Sequence, residues 1–182
     1  MKTEVLRLWR QFRPTIVFIG VFLAIYLVLN IFYGIYITHF YPKVDRVTEW
    51  VTHQTSHTLR FLGWENTAQN HPTKPTTFIS YEGTGIISIY EGCNGLNVVI
   101  VFFAFLAGFG PYVKKLIWFV PLGVTLIHIG NLVRIVLLFW VSLRMPDYLY
   151  FTHKYLFTAF LYGWVMLLWV AWLYLTKKPV HA

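Results

Sequence analysis

The stretch Glu91–Phe109, EGCNGLNVVIVFFAFLAGF, joins two kinds of chain at one point. Residues 91–97 are polar or turn-prone and carry Cys93, the only cysteine of the protein. Everything after Asn97 in the stretch is apolar or glycine and reads as membrane-grade helix. The one thiol therefore stands at the mouth of a candidate membrane span.

Composition extends that reading to the whole chain. Of 182 residues, 57% are hydrophobic and only 12% charged, too apolar for an ordinary soluble domain of this size. Aromatic residues make up 20%, as suits a protein with Trp and Tyr at membrane interfaces. A single cysteine excludes an internal disulfide. A transmembrane helix needs about 20 mainly apolar residues, and four segments supply them: 15–38, 95–113, 116–143 and 155–176. The expected fold is an all-α integral membrane protein, a four-helix transmembrane bundle forming a single membrane domain over residues 1–182.

The net charge of +8 reports topology rather than affinity for nucleic acid. Lys2, Arg7, Arg10 and Arg13 precede the first span, Lys114 and Lys115 lie between the second and third, and Lys177 and Lys178 follow the fourth. The 40–92 loop balances Lys43, Arg46, Arg60 and Lys74 against Asp45, Glu49, Glu65, Glu82 and Glu91. The positive-inside rule then puts both termini in the cytoplasm and this loop outside. Residues 1–13 read either as a basic amphipathic helix, with Val5, Leu8, Trp9 and Phe12 on one face, or as a plain positive anchor.

The outer loop is too long for a connector. Val44, Val47, Val51, Leu59 and Leu62 keep roughly helical spacing with a gap at Thr55, which predicts an amphipathic helix over about 45–62 lying on the outer surface. After Pro72 and Pro75, the run TTFISYEGTGIISIY (76–90) predicts a β-hairpin around Glu82-Gly83-Thr84-Gly85 that delivers the chain to Cys93.

Three chemistry-bearing residues converge in this topology. Cys93 heads the second span, where Asn94 is a candidate N-cap and the helix N-terminus should lower the thiol pKa. His128, Asn131 and Arg134 share one face of the third span, with Arg134 about 10 Å short of its outer end at ~1.5 Å per residue. An arginine that deep costs a few kcal/mol unless it faces the bundle interior. His153 opens the fourth span. Each alone has an ordinary account: an inert small apolar residue, a snorkelling anchor, a solvated interfacial imidazole. Together they supply a nucleophile, a proton carrier and an anion stabiliser, the set required for acyl transfer by cysteine. His128 competes with His153 as proton carrier but lies about 9 Å deeper than Arg134. His53 and His57 have zinc-binding spacing, but His53-Gln54-Thr55-Ser56-His57 lacks the glutamate of H-E-x-x-H and any evident third ligand, so neither metal nor cofactor is expected.

The segments CNGLNVV (93–99), IGNLVRIVLL (129–138) and HKYLFTAFLYGW (153–164) resemble the exosortase/archaeosortase family of polytopic membrane enzymes. The resemblance covers about Gly92–Trp164. The stretch FYGIYITHFYPKVDRVTEWVTHQT (32–55) is similar to a small exosortase type of the Bacteroidetes. The family pattern is a Cys in C-x-G, an Arg in N-x-x-R and a His near the start of a later helix, places filled here by Cys93, Arg134 and His153. Many members have more than four spans. The resemblance implies a cysteine protease or transpeptidase in the bacterial cytoplasmic (inner) membrane, with its active site facing the periplasm. It would cleave C-terminal sorting signals of exported proteins through a Cys93 acyl-enzyme. A lipid headgroup, a glycan precursor, another amine or water would resolve that intermediate. Asn131 would orient the Arg134 guanidinium, and Asn94 and Asn97 would donate toward the oxyanion. The alternative class is a non-catalytic membrane subunit of an export, polysaccharide or envelope-assembly system, whose polar residues only hold helices together.

Overall fold

The computed structural model describes residues 2–109 and 113–176. Most of the molecule is helical. Three helical segments are long and apolar enough to cross a membrane: Trp9–Phe40, Lys114–Arg144 and Pro146–Thr176. The first lies within helix α1 (Lys2–Phe40), many of whose apolar residues from Trp9 to Ile35 stand exposed, a surface suited to lipid, while Phe18 packs on the Phe105 and Phe109 rings. The second lies within α4 (Val113–Arg144). The third combines a 3-10 turn at Pro146–Tyr148, the short α5 (Leu149–Phe151), a π-helical turn at Thr152–Leu156, and α6 (Phe157–Thr176).

The remaining apolar helix, α3 (Leu96–Gly108), is shorter than the expected 95–113 span. Its 13 residues reach only about 20 Å, against a hydrocarbon core of about 30 Å. Its start is delayed to Leu96 because Gly95 takes a left-handed conformation (φ 84°), and Val113 belongs to the next helix. Gly110-Pro111 lies outside the described residues. α3, α4 and α6 share a core of Phe102, Leu106, Phe119, Ile127, Val165 and Trp172. α3 and α4 approach so closely that a Cβ on Gly123 would stand 2.1 Å from the Phe102 ring.

The segment between α1 and α3 folds into a second layer. Helix α2 (Arg46–Phe61) packs with a three-stranded antiparallel sheet, β1 (Asn66–Asn70), β2 (Thr77–Tyr81) and β3 (Thr84–Ile89), in the order β1-β2-β3. The helical membrane part is thus joined by a small sheet, in which β2 and β3 pair where a hairpin is expected and β1 is an additional strand. β1 (NTAQN) escapes the sequence reading because it is polar and does not alternate.

The buried face of α2 also departs from the valine-and-leucine stripe. It consists of Thr48, Val51, Thr52, Thr55, Ser56 and Leu59, while Leu62 is exposed. Thr52 and Thr55 donate their hydroxyls to the carbonyls of Thr48 (2.8 Å) and Val51 (2.9 Å). Thus satisfied, they present methyl groups to the interior, and Thr55 is no gap in the face. Nor does the helix lie alone on the surface. Ser56 donates to Asn66 Oδ1 (2.7 Å), which ties α2 to β1. A second core then runs from α2 through the sheet to α4: Val51, Leu59, Ile79, Ile89, Ile135 and Phe139, with Cys93 among them. The thiol sits in the seam between this second layer and the helix bundle.

Candidate active site

β3 ends at Ile89, and the chain makes one tight turn over Glu91–Cys93, closed by the Cys93 N–H on the Tyr90 carbonyl (2.8 Å). Gly95 then reverses the chain into α3. Its positive φ disfavours any side chain, and a Cβ there would stand 3.4 Å from Asn131. The cap of α3 is thus Gly95, one residue later than expected. Asn94 instead bridges the turn, its Oδ1 accepting from the Leu96 N–H (2.9 Å).

The turn is held from three helices. From α1, the Tyr33 hydroxyl donates to the Glu91 carbonyl (3.0 Å) and accepts from Asn94 Nδ2 (3.3 Å). From α2, Thr48 Oγ1 also accepts from Asn94 Nδ2 (3.2 Å) and donates to Asp45, the N-cap of α2. From α4, Asn131, fully buried, donates to the Cys93 carbonyl (2.9 Å). Tyr33 and Thr48 were missed by sequence reasoning because neither lies in a motif of its own. The only signal was their place in the 32–55 stretch that carries part of the family resemblance.

Arg134 follows Asn131 by one helical turn. It is 7% exposed, its Nη1 donates to Asn131 Oδ1 at 3.4 Å, and its Nε is buried without a hydrogen-bond partner. A buried cation so sparsely bonded retains capacity for an anion. His153 stands on the π-helical turn ahead of α6, an irregularity common at functional sites. Its Nε2 lies 3.9 Å from Cys93 Sγ, across 60 residues of sequence. Both face a cavity of about 350 Å³ with walls that include Ile89, Ile135, Leu138 and Leu149.

The electrostatics differ from expectation. Burial pushes the Cys93 thiol above its ordinary pKa, and the positive charge of Arg134 pulls against that shift without cancelling it. Cys93 precedes α3 instead of capping it, and its surroundings are largely apolar, so desolvation of the thiolate outweighs attraction. A thiol in this state needs a proton acceptor at hand when it reacts.

The remaining candidates fall elsewhere. Asn97 is exposed on the first turn of α3 and takes no part in the network around Cys93. His128 faces α2, where its Nε2 hydrogen-bonds Gln54 Oε1 and its ring stacks on Trp50 at 4.8 Å. His53 and His57 are exposed, and no group of three or more metal-ligating side chains gathers among the described residues.

A family model described as transmembrane exosortase matches residues 7–176. No curated protein and no solved structure matches the chain. The match takes in the three candidate spans, the layer of α2 and the sheet, and each residue around Cys93, so this chain belongs to the transmembrane exosortase family.

Proposed function

We propose that the protein is a membrane-embedded cysteine peptidase or transpeptidase that cleaves C-terminal sorting signals of exported proteins at the outer face of the cytoplasmic membrane. The observation that carries this reading is the 3.9 Å approach of Cys93 Sγ to His153 Nε2 beside the buried Arg134. Family membership supports it.

In this reading the reaction runs through a covalent intermediate on Cys93. His153 Nε2 takes the thiol proton as Cys93 Sγ bonds to the substrate carbonyl carbon. Charge then develops on the carbonyl oxygen, and Arg134 stabilises it in a largely apolar surrounding, where a fixed cation counts for more than in water. The C–N bond breaks as His153 returns the proton to the departing amine. The resulting Cys93 thioester is attacked by an amine, a hydroxyl of a lipid headgroup or glycan precursor, or water, whose proton passes to His153 and from there to the departing sulfur, restoring the thiol. Asn131 couples two parts of the site, holding the Cys93 carbonyl with one end of its amide and the guanidinium with the other.

In this reading the chain crosses the membrane four times with both termini inside. α3 returns it to the side of Lys114 and Lys115, and its short length is met by local thinning of the bilayer. The decisive experiment co-expresses an exported protein bearing a C-terminal sorting signal with the wild type or with Cys93→Ala. Mass spectrometry should find a defined new C-terminus and a thioester on Cys93 in the wild type alone. Equal processing by Cys93→Ala would remove Cys93 from the chemistry.

A further inference from the structure

We infer that the substrate binds as an added β-strand along the free edge of β3, with an apolar side chain in the cavity beside Cys93. This deepens the reading of Cys93 as nucleophile and rests on it. Among the described residues, β3 has β2 on one side and no strand on the other. Successive side chains of a strand point to opposite faces, so a cavity on one face meets only alternate residues. Here Ile86, Ile87, Ser88 and Ile89 all line the cavity that contains Cys93 and His153. Three of these, Ile87 to Ile89, are consecutive residues of regular strand, and a cavity touched by all three opens along the strand edge. A second concavity, bounded by Phe78 and His71 on the other side, shares Ile86, Ile87 and Ser88. The edge is therefore approachable from both sides.

The two ends of this edge are defined. Ile86 is the extra residue of a bulge, between the pairs Ser80↔Gly85 and Ile79↔Ile87. Its carbonyl accepts from Ser142 of α4 (3.0 Å), so at that end the backbone is already used. From Ile87 to Ile89, no backbone bond outside the sheet ladder forms among the described residues. The strand then runs directly into the turn that carries the thiol. An extended peptide laid along residues 87–89 thus reaches Cys93 with its backbone already aligned, the usual logic of strand addition. A lipid chain would fill the cavity but leave the strand edge unbonded.

The test uses the full-length protein in detergent and tripeptide chloromethyl ketones as probes. The set comprises an all-leucine probe, the same probe N-methylated at its central amide, and one with aspartate in place of leucine. Iodoacetamide reads the thiol by itself. The leucine probe should alkylate Cys93 several-fold to about tenfold faster than the N-methylated one, the effect of losing one backbone hydrogen bond. It should outpace the aspartate probe by a similar factor, and Leu149→Trp, which narrows the half-buried rim of the cavity, should slow it without slowing iodoacetamide. Equal rates for the leucine and N-methylated probes would overturn strand addition while leaving the nucleophile intact. Equal rates for leucine and aspartate would overturn the apolar subsite. Failure of iodoacetamide and every peptide probe alike would refute the nucleophile itself, and the strand-addition proposal with it.

Discussion

Cys93 carries opposing influences within a few ångströms. Burial raises its pKa and Arg134 lowers it, with burial the larger. Since the thiolate is the reactive form, the rate of alkylation by iodoacetamide should climb with pH through a midpoint above that of a free cysteine. Replacing Arg134 by Gln removes the one stabilising cation and should move that midpoint further up. A wild-type midpoint below that of free cysteine would contradict the burial argument. Arg134→Lys tests a different property. Lysine keeps the charge but not the planar fork that can bond Asn131 and a second acceptor at once. Processing by Arg134→Lys should fall by about 10²-fold, the typical loss on removing an oxyanion donor. Near wild-type processing would make Arg134 an anchor only.

At the scale of elements, two histidines of similar promise in the sequence separate by their surroundings. His153 on the π-helical turn faces the thiol, whereas His128 on α4 is engaged with Gln54 and Trp50 of α2. At matched membrane levels, His153→Ala should lose most processing while its thermal unfolding midpoint stays near wild type. His128→Ala should keep measurable processing but lower that midpoint, because Gln54 loses its partner at a cost of about 1–3 kcal/mol. The opposite ranking would move the proton carrier to His128. The turn itself depends on α1 and α2 through Tyr33 and Thr48. Tyr33→Phe deletes one donor and one acceptor and keeps the ring. We expect a fall in processing of about tenfold, with the alkylation midpoint of Cys93 little changed. An unchanged processing rate would show that Thr48 and Asn131 fix the turn without the Tyr33 hydroxyl.

At the scale of the whole molecule, the charges and the apolar helices make one prediction together. Reporter fusions at Lys115 and after Thr176 should read cytoplasmic, and a fusion at Asn70 extracytoplasmic. The third is the more searching, because α2 and the sheet form one layer with the Cys93 turn. A cytoplasmic reading at Asn70 would invert the molecule and put the thiol on the wrong side for exported substrates.

What the sequence determined by itself was what depends on local composition. Membrane class follows from apolarity summed over short windows, and the positions of α1, α4 and α6 follow from runs long enough to cross a bilayer. The order of Cys93, Arg134 and His153 and their short motifs were likewise legible. Tertiary structure decided the rest. The threonine-rich face of α2 looks polar in sequence, and becomes core only once Thr52 and Thr55 bond back to their own helix. β1 is a strand because β2 lies beside it, not because its residues favour one. The clamp on the Cys93 turn joins Tyr33 and Thr48 to Asn94, and the thiol meets His153 across 60 residues. The raised thiol pKa belongs to the same class. Desolvation is a property of everything packed around an atom, and no window of sequence contains those neighbours.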